Sequence, residues 1–149
     1  MKMLLATPFD QLQTGARWIS RGRTITEADI VRFAGVSGDW FPLHTDQAYA
    51  ARTAYGARIA HGMLVLSVAT GLIPLPPETI IAFYGIDRVR FTRPVFIGDT
   101  VHIEMEIARK EAKSADRGLV TFLLGVKNQR DETVAILSPK VLVRRQAAE

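Results

Sequence analysis

The stretch GMLVLSVATGL, residues 62–72, restricts the fold most. It carries no charge and is apolar on nearly every face. A surface helix shows one apolar stripe, whereas a helix that is apolar all round is a buried one. Pro74 stops it. The surrounding run from residue 59 to 77 is nearly uncharged and holds His61, two Gly and three Pro. It is too short and too broken to cross a membrane.

The second half of the chain follows a different period. In VHIEMEIARKEAK, Val101, Ile103, Met105 and Ile107 fall on one face and His102, Glu104 and Glu106 on the other, as in a half-buried strand. IIAFYGIDRVRFTRPV is β-rich, with Pro94 as an edge or bend. GDT at 98–100 is a turn. GLVTFLLGVKNQRDETVAILSPKVLVRR predicts two strands about a turn near 128–132. The first half is mostly helical, after one candidate strand at 16–24. Thr26 is a helix N-cap, with Asp29 in the capping-box position, and Gly35 and Gly38 mark that helix's end. Asp46 caps a further short helix, closed by Gly56. The expectation is an α+β architecture: an antiparallel sheet of about five strands and one buried helix.

Composition bounds the function. At 149 residues the chain reads as one domain spanning 1–149, long enough to bury a core. It has no cysteine, which excludes thiol nucleophiles and thiolate metal sites. The start, MKMLLATPFDQL, has too short an apolar core for a signal peptide, so the expected location is cytoplasmic. The net charge is +4, but the basic residues are scattered and no nucleic-acid signature is present. The closing RRQAAE is expected to lack order. There is no GxSxG, HExxH or P-loop. With three His in all, one of them on a strand's polar face, a three-His metal site is not expected.

Two stretches carry chemistry. In GDWFPLHTD, residues 38–46, Pro42 rules out a helix interior and pushes Phe41 into an extended conformation. The resulting loop can fold Asp39 back towards His44. A carboxylate beside an imidazole can move a proton or polarise a water. The bland alternative is that Asp39 ends a helix in a turn and His44 lies on the surface. In IAHGML, residues 59–64, His61 and Gly62 stand at the entrance of the apolar helix. Free N–H groups and partial positive charge there suit a polarised carbonyl oxygen. The bland alternative is a Gly that permits close packing, with His61 a hydrogen-bonded core residue.

FAGVSGDWFPLHTD, GARIAHGMLVLSVATGL and RFTRPVFIGDTV together resemble the MaoC-like dehydratases, the hot-dog-fold family of (R)-specific enoyl-CoA hydratases. The first is similar to that family's D-x-N-P-x-H-x-D motif. The resemblance implies a long helix wrapped by a curved antiparallel sheet, in a homodimer or higher oligomer. It implies reversible hydration of a trans-2-enoyl-CoA thioester, with coenzyme A as part of the substrate and no metal or other cofactor. Asp39 and His44 match the catalytic pair. Gly62 matches the residue whose N–H binds the thioester oxygen, with His61 beside it among the substrate-binding residues. Thr70 matches a supporting helix Ser. Phe41 departs from the motif's Asn. Arg88, Arg90 and Arg93 are candidates for a rim facing the phosphates, with solvated strand positions as the alternative. Trp40, Phe41, Tyr55 and Leu75 are candidates for the acyl pocket. Two rival readings stay open: a hot-dog acyl-CoA thioesterase, and a non-catalytic acyl-thioester-binding subunit of a heterodimer.

Overall fold

The computed structural model describes residues 3–146. Six strands form one antiparallel sheet: β1 (Arg17–Ile19), β2 (Arg23–Thr24), β3 (Ile80–Phe91), β4 (Thr100–Ala112), β5 (Arg117–Lys127) and β6 (Thr133–Arg144). Their order is β1-β4-β5-β6-β3, with β2 also on β4. The expected first strand is two short ones. Residues 20–22 break it, and both pieces pair with β4. The sheet therefore has six strands rather than about five.

Period-two patterning builds its inner face. Val101, Ile103, Met105 and Ile107 are no more than 2% exposed. Phe122, Leu124 and Val126 of β5 and Val141 and Val143 of β6 join them in the core. Among the described residues four α-helices lie between β2 and β3: α1 (Glu27–Ser37), α2 (Pro42–Thr45), α3 (Gln47–Ala51) and α4 (Gly62–Leu72). The capping box at Thr26 and Asp29 is formed, and such a cap contributes about 1 kcal/mol. Gly38 closes α1 at φ 77°, in the left-handed region that Gly enters without a Cβ clash. Gly35 lies inside α1 and does not end it.

α4 lies on the inner face of the sheet and buries Leu64, Val65, Leu66, Ala69 and Leu72. It is eleven residues, or about 16 Å, long. Met63, Ser67 and Gly71 recur every fourth residue and are exposed, so the helix is buried on most faces but not all. Its lead-in fixes where it starts. The Ala60 N–H donates to the Val95 carbonyl at 2.7 Å, and Ile59 bridges to Phe96. The far end of the chain is tied down as well. Arg145 pairs with Asp10 at 2.8 Å, and the Gln146 N–H donates to Asp10, so the expected loose tail is anchored up to Gln146. Residues 147–149 lie outside the described residues. No helix among the described residues is long and apolar enough to cross a membrane.

Candidate active site

Residues 38–41 have no regular structure and carry Asp39 between α1 and α2. Pro42 does not leave a loop here. It opens the single turn of α2 from its first position, where its missing N–H costs nothing. That turn lifts His44 inward, to 8% exposure. Asp46 then caps α3 by accepting the Tyr49 N–H at 2.9 Å. Asp39 stays exposed. One of its carboxylate oxygens accepts the Phe41 N–H at 3.1 Å.

His44 and His61 meet face to face, with ring centroids 4.0 Å apart and planes 29° from parallel. The His44 Nδ1 lies 2.8 Å from the Ile59 carbonyl oxygen. A carbonyl only accepts, so Nδ1 carries the hydrogen and Nε2 of neutral His44 is a free lone pair. Burial holds the His44 imidazolium below its ordinary range. The Ile59 bond opposes that shift, proximity to His61 adds to it, and the Asp39 charge opposes it. One ligating atom from each of Asp39, His44 and His61 lies within 4.8 Å of the other two. By count this set could hold a divalent ion. Stacked imidazoles, however, direct their in-plane lone pairs side by side rather than onto one tetrahedral centre. One bridging water suits the spacing better.

Gly62 is the first residue of α4, so its N–H has no acceptor within the helix. A Cβ at this position would sit 2.6 Å from Phe91 Cζ, so the Phe91 ring lies directly against the glycine. Asp39, His44, His61 and Gly62 line one cavity of about 490 Å³ with Tyr55, Met63, Phe91 and Arg93. Its walls are otherwise largely apolar, formed by Ile59, Val65, Val95 and Val134.

The structure brings four of the five candidate residues together. Thr70 stands two turns further along α4, donates its hydroxyl to the Ser67 carbonyl at 3.0 Å and does not line the cavity. Of the three arginines, Arg93 lines it. Arg88 faces the opposite side of the sheet, and the Arg90 guanidinium folds onto the Val89 carbonyl. Tyr55 is in the wall, whereas Leu75 is not. Trp40 and Phe41 are exposed beside it, and the Phe41 ring meets His44 edge-on at 5.8 Å. His102 lies on the outer sheet face against Glu104, as its alternation predicts. Arg58 escaped sequence reasoning. It donates to the His44 carbonyl at 2.6 Å and forks onto Glu27 at 2.9 Å, locking α1 to α2. No local pattern marks such a bridge. Phe91 did lie within a quoted stretch, but its contact with Gly62 spans 29 residues and has no signature.

Residues 12–128 match the family described as MaoC like domain. The chain belongs to that family. Protein MaoC of Klebsiella aerogenes is 41% identical over 106 residues, 70% of this chain and 32% of that protein. The (R)-specific enoyl-CoA hydratase of Aeromonas caviae is 43% identical over 104 residues, 68% of this chain and 74% of that enzyme. The solved monoamine oxidase regulatory protein from Archaeoglobus fulgius superposes with a TM-score of 0.89 at 42% identity, covering 94% of this chain and 95% of that one. This MaoC-like chain thus spans about a third of the Klebsiella protein but nearly all of the Archaeoglobus one. Its sheet and helix are those of the hot-dog fold. Hydratases and dehydratases are the enzymes named among its relatives, which makes hydro-lyase chemistry the family's general kind.

Proposed function

We propose that this chain catalyses the reversible syn addition of water to a trans-2-enoyl thioester, giving a 3-hydroxyacyl thioester. The observation that carries the reading is the uncommitted Nε2 of His44, on a ring that brings a nitrogen within 4.8 Å of an Asp39 carboxylate oxygen, in a cavity that also holds Gly62. The thioester oxygen accepts from the Gly62 N–H at the start of α4, where the helix favours negative charge. Water lies between His44 and Asp39. Asp39 accepts one of its hydrogens and orients it. His44 Nε2 removes the other as the water oxygen bonds to C3. The electrons of the double bond move onto the thioester, and His44 returns its proton to C2. One water is consumed and both residues end as they began. The thioester supplies its own activation, so the reading needs no metal or redox cofactor. Coenzyme A is the carrier in this reading, and Arg93, which lines the cavity and stands 4.0 Å from Glu132, is the cation offered to an anionic group.

A homodimer belongs to the same reading. β3 is the last strand in the order, twelve residues long and paired on one side only. Its Phe83, Tyr84 and Phe91 are exposed, and a long apolar edge is a template for another strand. Phe41 in place of the motif's Asn favours one other reading, a binding subunit without turnover.

The test follows the loss of the enoyl-thioester ultraviolet band with crotonyl-CoA and with a longer trans-2-enoyl-CoA. Wild type is expected to turn over, and Asp39→Asn and His44→Ala to lower kcat by about 10²–10⁴-fold, the range of acid–base catalysis. A folded wild type inactive on both substrates overturns the hydratase reading in favour of the binding subunit.

A further inference from the structure

His61 is 2% exposed and touches both groups of the proposed pair. Its Nε2 lies 2.9 Å from the main-chain carbonyl oxygen of Asp39. That oxygen only accepts, so Nε2 carries the hydrogen. Its Nδ1 is buried with no hydrogen-bond partner among the described residues. A hydrogen on Nδ1 would leave a buried donor without an acceptor and set a bare Nε2 against the Asp39 carbonyl oxygen, two acceptors facing each other. His44 stacks on the ring at 4.0 Å, and the Phe33 ring meets it tilted by 58° at 5.0 Å.

The Asp39 segment needs such a contact. The Asp39 N–H donates to the Ser37 hydroxyl, and its carboxylate accepts from the Phe41 N–H, both at 3.1 Å. Those partners are only two residues away, one at the last residue of α1 and the other within the loop itself. His61 is 22 residues away and begins the rigid α4. The His44 ring has a matching need. The Ile59 carbonyl fixes it in its own plane, and stacking on His61 fixes the plane itself. Asp39 and His44 are the titratable groups that meet His61, and Tyr55 and Arg93 line the same cavity.

We propose that His61 is a positioning residue, fixed as the Nε2–H tautomer, that pins the Asp39 main chain with one atom and the His44 ring with one face. This rests on the hydratase reading and gives His61 a different task from substrate contact. Catalysis by an oriented water is steep in geometry, and a displacement of about 1 Å costs about 100-fold in rate.

The test uses the full chain with His61→Phe and His61→Gln. Phe keeps the ring and its stacking but has no donor. Gln carries an amide N–H to roughly the place of Nε2. The expected result is a loss of about 100-fold in kcat for His61→Phe, with KM changed less than threefold, and recovery of at least tenfold by His61→Gln. In nitrogen-15 spectra of wild type at neutral pH, Nε2 of His61 is expected as the protonated nitrogen and Nδ1 as the bare one. Unchanged kcat in His61→Phe, or no recovery in His61→Gln, overturns the proposal. So does a hydrogen on Nδ1, which is read on wild type and needs no variant to fold. A wild type without turnover sinks the hydratase reading instead, and the nitrogen spectrum still decides the bond to Asp39.

Discussion

Two hollows open on opposite faces of the sheet, and the larger is the poorer candidate. The outer one, of about 590 Å³, lies on the face away from α4. Strand register assembles it: Ile19, Glu104, Gly125 and Ile136 stand in one row, and Arg17, Glu106 and Leu123 in the next. Its carboxylates are taken, and Arg88 is its one lining charge without an ion pair among the described residues. Arg17 pairs with Glu106 at 2.8 Å, and Lys127 reaches Glu104 at 3.3 Å. The inner one, of about 490 Å³, holds polar atoms with capacity to spare: His44 Nε2, the Gly62 N–H and a carboxylate oxygen of Asp39. Chemistry needs atoms that the fold has not already satisfied, so spare hydrogen-bonding capacity discriminates where volume does not.

The comparison breaks hardest on its two carboxylates. Asp39→Asn is expected to lower hydration kcat by about 10³-fold, because the amide presents a donor where an acceptor must hold water. Glu106→Gln removes a carboxylate of equal charge from the outer hollow and should leave kcat within twofold. Comparable losses in both variants would erase the distinction between the two faces.

The next effect is one of pH. Burial lowers the His44 pKa, so the neutral form that accepts a proton persists below the ordinary His value of about 6.5. The acid limb of kcat/KM is expected below that value, falling about tenfold per unit. Stability moves the same way. Between the lowered folded value and about 6.5 the unfolded chain binds the extra proton, so stability is full above that window and falls as pH drops through it. His44→Gln should remove this part of the acid sensitivity in thermal melts. An acid limb at or above the ordinary value in wild type would mean that His44 is not the group being read.

Gly62→Ala is a smaller break. The new Cβ would press on the Phe91 ring, which is half exposed and can swing aside. The cost falls on the site rather than on folding: about tenfold in kcat/KM as the ring moves into the mouth of the cavity, with melting shifted by roughly 3 °C or less. A large melting drop with normal turnover would make Gly62 a packing residue only.

The legibility of the sequence follows the range of each interaction. Local physics was readable: the Thr26 and Asp29 capping box, the Asp46 cap, the limits of α4 at Gly62 and Leu72, and the alternation of β4 all depend on residues a few positions apart. The family was readable because its motif is local too. Long-range facts were not. The break at 20–22 is made by pairing with β4, the stacking of His44 on His61 spans 17 residues, and Arg58 reaches 31 residues back to Glu27. Pro42 misled in one respect, since a proline forbidden inside a helix is well suited to start one. Thr70 was placed by resemblance alone, and within one chain α4 carries it two turns beyond Gly62 and out of the cavity wall.

The smallest expected effect sharpens the comparison most. Arg17 is 79% exposed on its side chain and holds Glu106 from the short β1. Exposed pairs of this kind contribute about 0–1 kcal/mol. Arg17→Ala should therefore shift the melting temperature by no more than about 4 °C and leave kcat, KM and the acid limb where they were. The variant frees a carboxylate in the outer hollow without touching the inner one. If turnover changed, spare capacity on one face would be coupled to chemistry on the other, and the sheet would be transmitting rather than separating. If nothing changed, the two faces are independent. The proposed hydration then depends on the short stretch where α2, the lead-in to α4 and the segment after β3 are stitched together through Leu43, Ile59, Ala60 and Val95.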